Sequence, residues 1–454
     1  MLVIISDLHL TDGTSGETIR AGAFRAFRER LRDLAYDASW RTGGKYKPIE
    51  ELHLVLLGDI LDVIRSTKWL SGSTRPWDSP ESQAFISTIR TINDAILVQN
   101  ADSLAVLKSL DDGKTTTLPP ATSEGRPAKV SREPGAKERQ PVKVHIHYLV
   151  GNHDWFYHLP GTAYNKVRES VVGKMGLANR AAEPFPHDPS ESDTLQRIYE
   201  EHRVFARHGD IYDPFNYEHD RNASSLGDAI VVELLNRFPE EVKKQMGAVL
   251  PKECTDGLKE IDNVRPLLMV PVWIDGLLRR TCQPRMAKSV KEIWDKLADD
   301  FLGLNFVQTR DSVFNVFDAV DKLEWALKFS RGVSLSNLGR LLSWIKEKVV
   351  TRESSYYAQA LTEAAFKNRK AKFVVYGHTH HHEVVPLDSA TMEQGLVNQI
   401  YINSGTWRRV HELAKMNPND EEFMGYNVMT YLAFFKDDER GGRQFESWSG
   451  CLGA

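Results

Sequence analysis

The sequence predicts an α/β fold, and three observations predict it. Six short apolar runs, rich in Val, Ile and Leu, each stop at an acid, an amide or a histidine. A helical pattern with one apolar face lies between the first two runs. Several more helical patterns fill residues 214–370, between the fourth run and the fifth. Apolar runs of this length read as strands buried on both faces, because a strand with one wet face would alternate.

The first run is "LVIISDLHL" (2–10), and Asp7 ends it. No basic segment precedes it, which predicts a first strand rather than a leader peptide. "AGAFRAFRERLRDLAYDAS" (21–39) follows with an apolar and a basic face, so the chain is expected to open β-α-β. The other runs are "LHLVLLGDILD" (52–62), "VHIHYLVGNHDW" (144–155), "RVFARHGDIYD" (203–213), "KFVVYGHTHHH" (372–382) and "NQIYINSGTW" (398–407). Residues 427–450 alternate on either side of an acidic, Gly-rich turn and read as a hairpin. Residues 111–141 hold Pro, Gly, Thr and charge with almost no large aliphatic side chain. Such a segment cannot bury enough surface to offset its ordering entropy, which predicts a disordered, mobile loop. Within 214–370, "SVKEIWDKLADDFLGL" places Val290, Ile293, Trp294, Leu297 and Phe301 on one face, with Ser289 and Glu292 at capping-box spacing. Further helices are expected at 312–329, 334–350 and 354–368. The expected organisation is a core at 1–213 and 371–454, interrupted by a helical cap at 214–370.

Of the 454 residues, 41% are hydrophobic and 26% charged, ample for a sizeable core. The net charge of −4 gives no global basic field for nucleic acid or an anionic membrane. Cys254, Cys282 and Cys451 are far apart and odd in number, which suits a reducing compartment and a cytoplasmic address. The richest apolar stretch, 266–278, is too short to span a bilayer and contains Pro271 and Asp275. Peripheral membrane contact stays open. Arg279, Arg280, Arg285 and Lys288 form a basic run beside it, read first as a solvated face.

The strand ends carry the chemistry. In order they present Asp7 and His9, then Asp59, then Asn152 with His153 and Asp154, then His208, then His378 and His380. Carboxylate, imidazole and amide together suit two borderline divalent ions. One carboxylate must then bridge them, and Asp59 stands alone on its strand. Two ions about 3.5–4 Å apart can clamp a phosphate for in-line attack. Asp62 and Asp210 follow ligand candidates closely and are expected to support them. His145, His147, His158, His187, His202 and His219 are expected to be structural, and Trp155 to pack beside the site.

"SDLHL", "GDILD", "GNHD", "HGD" and "GHTH", in that order and each closing an apolar run, resemble the signature of the calcineurin-like metallophosphoesterases. The resemblance covers the core and not the insertion. It implies a four-layer α/β/β/α sandwich. It implies one metal on Asp7, His9, Asp59 and His380, and a second on Asp59, Asn152, His208 and His378. Manganese would be the usual metal, with iron, zinc, nickel or cobalt as alternatives. A hydroxide between the ions would attack phosphorus, His153 would contact the phosphate and protonate the leaving oxygen, and Asp154 would orient His153. Gly58, Gly151 and Gly377 are expected to let the chain turn sharply into each ligand loop. His381 and His382 match no family role.

The implied activity is hydrolysis of a phosphodiester or pyrophosphate in a nucleotide-type or amphiphilic substrate. The helical cap is similar in placement to the lid of UDP-2,3-diacylglucosamine hydrolases, but that branch carries Arg where this chain has His153. Two alternatives stay open: a nuclease working in a complex, touching nucleic acid through 111–141, and a non-catalytic scaffold binding a protein partner through 214–370.

Overall fold

The computed structural model describes residues 1–265, 269–311, 355–392, 395–416 and 422–452. Its strands are β1 (Leu2–Ile5), β2 (Glu51–Leu57), β3 (Thr117–Leu118), β4 (Gln140–Pro141), β5 (Lys143–Leu149), β6 (Val204–Arg207) and β7 (Val264–Arg265). They continue with β8 (Phe373–Tyr376), β9 (Glu383–Met392), β10 (Gly395–Asn403), β11 (Arg408–Leu413), β12 (Phe423–Phe434) and β13 (Phe445–Leu452). All six apolar runs are therefore strands, and the predicted hairpin is β12–β13.

The larger sheet has the order β5-β2-β1-β12-β11-β7, with β13 also on β12. β5, β2 and β1 run parallel, in the register Leu54↔Ile146 and Val3↔Leu54. β12 closes antiparallel on β1, Leu2 facing Phe434. The smaller sheet has the order β6-β8-β10-β9, its first three strands parallel. Parallel strands end on the same edge, so the polar residues after β1, β2 and β5 share one edge, and those after β6 and β8 share another.

The continuous apolar runs follow from burial on both faces. Leu2, Ile4, Val55, Leu57 and Leu149 of the larger sheet cluster with Val204, Ala206, Phe373, Val375 and Ile402 of the smaller one. The alternate residues Val3, Ile5, Leu54, Leu56 and Ile146 turn to the helices. These are α1 (Ala21–Ala38), α2 (Gln83–Gln99), α3 (Ala101–Lys108) and α4 (Thr162–Met175), while α5 (Asp193–His202) packs at the cluster between the sheets. α1 buries Phe24, Phe27 and Leu31, each worth roughly 1.5–3 kcal/mol. Phe27 meets Trp407 edge-on at 4.9 Å. The outer face of the smaller sheet, Val374, Tyr376 and Tyr401, is covered by Ala360, Tyr356 and Phe366.

The inserted region contributes α6 (Leu226–Ile230), a π-helical turn at Val231–Asn236, α7 (Arg237–Met246), α8 (Lys252–Leu258), α9 (Val270–Thr281), α10 (Pro284–Leu302) and α11 (Asn305–Asp311). Leu234, Phe238, Trp273 and Trp294 join the same cluster as α1 and α2, and β7 joins the larger sheet beside β11. No described helix is long and apolar enough to cross a membrane.

Three local expectations need correction. Residues 111–141 follow a definite path: β3 pairs β4, Leu118 is buried, Tyr46 Oη donates to the Pro119 carbonyl, and Arg139 Nε donates to Thr117 Oγ1. Composition missed this because the segment is held by hydrogen bonds to a few neighbours rather than by a core of its own. Ser289 and Glu292 are not a capping box. The helix begins at Pro284, whose missing N–H is no loss in a first turn, so Ser289 is interior and donates to the Arg285 carbonyl. The single helix expected at 354–368 is two turns, Tyr357–Ala360 and Ala364–Lys367, broken where Glu363 turns extended. The Glu363 carboxylate accepts from Tyr212 and Tyr376 at 2.6 and 2.7 Å, and these tertiary bonds override the local propensity. The helices expected at 312–329 and 334–350 lie outside the described residues.

Candidate metal centre

The sheet edges bring together every metal-ligand candidate. Asp7, His9, Asp59 and His380 form one group whose ligand atoms all lie within 4.8 Å, and Asp59, His208 and His378 form another. Asn152 adjoins the second, its Oδ1 being 3.2 Å from His208 Nε2. Asp59 is common to both groups. Its Oδ2 lies 3.2 Å from His208 Nε2 and 3.7 Å from His9 Nε2.

The backbone is shaped for this convergence. Asp7, His9, Asp59, His378 and His380 all have positive φ, between 45° and 68°. A left-handed conformation costs a non-glycine residue about 1–2 kcal/mol, so surrounding structure must impose it. Hydrogen bonds do so. The amides of Asp7 and His9 donate to the Gly58 and Asp59 carbonyls, and the Trp407 amide to the Asp7 carbonyl. The His378 amide donates to the Asp7 carboxylate at 3.1 and 3.2 Å, tying the smaller sheet to the larger.

The glycines divide into two kinds. Gly58 has φ +83°, as a sharp turn requires. Gly151 and Gly377 do not. They are needed for closeness: a methyl on Gly151 would strike Asp59 Oδ1 and come within 2.7 Å of His208, and one on Gly377 would lie 2.7 Å from Asp7 Oδ2.

In His9, His208 and His378 the partner of one ring nitrogen shows which lone pair is left for an ion. His9 Nδ1 is 2.7 Å from Asp62 Oδ2, His208 Nδ1 is 2.9 Å from the Leu57 carbonyl, and His378 Nε2 is 2.9 Å from Asp213 Oδ2. An acceptor at one ring nitrogen fixes the proton there and frees the other nitrogen. His378 Nδ1 is accordingly buried with no hydrogen-bond partner. These residues fit a metal centre: carboxylates and imidazoles converge, and one buried imidazole nitrogen among them has no partner. His9 Nε2 and His380 Nε2 approach to 2.9 Å.

The electrostatics match. Burial pushes Asp7 up to about 6, against the pull of His208. Burial holds His9 down to about 3, with the Arg408 guanidinium next in importance. For Asp59 burial works upward, yet His208 and His153 outweigh it and keep the carboxylate ionised. Burial opposes charge on His208 too, but Asp59 raises it to about 10.

His153 lies beside the centre, and its amide donates to Asp59 Oδ1 at 2.9 Å. Burial disfavours its cation, yet Asp62 and then Asp59 raise it to about 9. The expected partner, Asp154, does not orient it. The Asp154 carboxylate accepts from the Gly151 amide, the Ile60 amide and Tyr148 Oη at 2.5, 2.8 and 2.6 Å, so it ties the ligand loops together. Asp62 holds the histidines instead, with one oxygen on His9 and the other 2.8 Å from His153 Nδ1. Both acids follow ligand candidates closely, and only the tertiary fold decides which one reaches an imidazole.

The remaining histidines lie elsewhere. His382 Nδ1 is bound to the Asn403 carbonyl and His381 is exposed. His147 contacts His53 at 3.3 Å, and His158 and His202 bond backbone carbonyls. Trp155 stacks on Phe156 at 4.1 Å. Asp210 pairs with Arg221 rather than with the centre. Lys288 lies 3.8 Å from Glu292, as on a solvated face. Sequence reasoning missed Asp213, Asn216, which accepts from Asn152 Nδ2 at 3.1 Å, and Arg265, whose guanidinium reaches His380. Asn216 and Arg265 lie in none of the six runs, the signal that found the others, and Asp213 stands at the end of the fourth, six residues beyond β6.

Among known proteins, no family model matches the chain and no curated protein is significantly similar to it.

Proposed function

We propose that the chain is a metal-dependent phosphoesterase of the calcineurin-like kind, cleaving a phosphodiester or pyrophosphate bond. The observation that carries this reading is the sharing of Asp59 between two convergent groups of ligand atoms, with His153 alongside. We read the packing of helices, larger sheet, smaller sheet and outer helical turns as the four-layer α/β/β/α arrangement.

Asp7, His9, Asp59 and His380 would hold one divalent ion, and Asp59, Asn152, His208 and His378 the other; manganese is the first candidate, with iron, zinc, nickel and cobalt as alternatives. A pair of such ions polarises a phosphoryl group and makes water a nucleophile at neutral pH. The chain's own residues do the rest. Asp59 keeps both groups of ligands in one frame. Asp62 fixes His9 and His153 together, so the proton on His153 stands at a set place beside the phosphoryl position. Against its burial, Asp62 and then Asp59 raise His153 to about 9 in the metal-free protein, and in its protonated form it would donate to a leaving oxygen.

The test is hydrolysis of bis-p-nitrophenyl phosphate and p-nitrophenyl phosphate by metal-stripped protein refilled with manganese. Turnover should require the metal. In Asp59→Asn it should fall by more than the roughly 10–100-fold typical of losing a supporting partner. Turnover that survives chelation, or that Asp59→Asn leaves intact, would sink the reading.

A further inference from the structure

One carboxylate oxygen sets the polarity of two ligand candidates at once. Asp213 Oδ2 accepts from His378 Nε2 at 2.9 Å and from Asn216 Nδ2 at 2.8 Å. An ionised carboxylate only accepts, so each partner must turn a donor toward it. For His378 that places the proton on Nε2 and leaves the Nδ1 lone pair, which is buried and has no partner. For Asn216 it turns Oδ1 the other way, where it accepts from Asn152 Nδ2 at 3.1 Å. Asn152 is thereby held with its amide nitrogen toward Asn216 and its Oδ1 on the side of His208 Nε2, 3.2 Å away. Two of the four ligands read for the second ion thus take their orientation from Asp213, one directly and one through Asn216. The other group has its own support, since His9 is oriented by Asp62.

The pair is itself braced. Asp213 Oδ1 accepts from the Phe215 amide at 2.9 Å, and the Asn216 amide donates to the Asp213 carbonyl at 3.0 Å. The Gly227 amide, in α6 of the inserted region, donates to the Phe215 carbonyl at 2.7 Å. A methyl on Gly227 would strike Asn216 Oδ1. The first helix of the insertion therefore lies against the same amide that orients Asn152, and a residue without a side chain leaves that amide in place.

We propose that Asp213 and Asn216 are positioning residues for the second ion alone, and that α6 sets them. The inserted region then controls how tightly the second ion is held, while the site of the first is unaffected. This rests on the two-metal reading above.

The experiment titrates manganese chloride by calorimetry into metal-stripped wild type, Asp213→Ala, Asp213→Asn, Asn216→Ala and Gly227→Ala. It also records the electron paramagnetic resonance spectrum of each at the manganese concentration that saturates wild type. Wild type should bind two ions and show a spin-coupled pair. Asp213→Ala and Asn216→Ala should bind one ion as before and the other about 10–100-fold more weakly, with the spectrum of an isolated ion in place of the pair. Gly227→Ala should move in the same direction. Asp213→Asn, which keeps an acceptor for His378, should recover part of the loss. In a His208→Ala background, which lacks a ligand of the second site, Asp213→Ala should change nothing further. Equal weakening of both ions, or unchanged binding in Asn216→Ala with native backbone CD, would overturn the assignment alone. Unchanged binding in Gly227→Ala would overturn the part given to α6. Wild type that binds fewer than two ions would overturn the two-metal reading and this inference with it.

Discussion

Asp62 shows how much a single side chain can organise. It touches no proposed ion, yet it sets the orientation of His9, a ligand candidate, and of His153, the proposed proton donor. Asp62→Ala should weaken manganese binding about 10–100-fold, measured by calorimetry, while the backbone CD stays native. The seven ligand candidates were legible because each depends only on its own strand: the apolar run ends, and the next polar side chains lie at the sheet edge. The roles of Asp62 and Asp154 were not separable in the same way. Each follows its ligand loop by a few residues, and which one faces an imidazole depends on how β2 and β5 sit side by side. Arg265 gave no sequence signal at all, since a two-residue strand is too short to show a pattern.

At the scale of elements, local rules held where the chain had nothing stronger to obey. The capping-box pattern at Ser289 yielded to Pro284, a better start a turn and more upstream, and the helix at 354–368 yielded to the two tyrosine hydroxyls on Glu363. A true capping box occurs at Ser225 and Asp228. Ser225→Ala should therefore cost about 1 kcal/mol in urea unfolding. Ser289→Ala should stay within about 0.5 kcal/mol. Equal effects would contradict this account of where the helices begin.

Across the whole molecule, the buried acids and imidazoles couple folding to pH. His153 and His208, raised to about 9 and 10, contribute stability that is full below their unfolded value near 6.5 and is lost as pH climbs through 9 and 10. The melting temperature of metal-stripped protein should thus fall between pH 6.5 and 9.5. With manganese the fall should shrink or reverse, because ligation needs neutral imidazole and competes with protons. A flat metal-free profile would mean that those pairs form equally in the unfolded chain. The class of fold was readable because six buried strands leave a strong trace in sequence. The sharing of one core between the inserted helices and α1 was not, since it depends on contacts between residues hundreds of positions apart.

Asp7 accepts a hydrogen bond from the amide of His378, 371 residues further along, and β1 lies in the sheet between β2 and β12. Strand β1 therefore waits for a partner that is made hundreds of residues later. A nascent chain can lay down β1, α1 and β2 together, but the ligand groups stay open until β8 and the histidines after it have been synthesised. Closing so long a loop makes assembly slow. A message cut short anywhere before β8 yields a polypeptide with Asp7, His9 and Asp59 and no His378 or His380 to complete the centre.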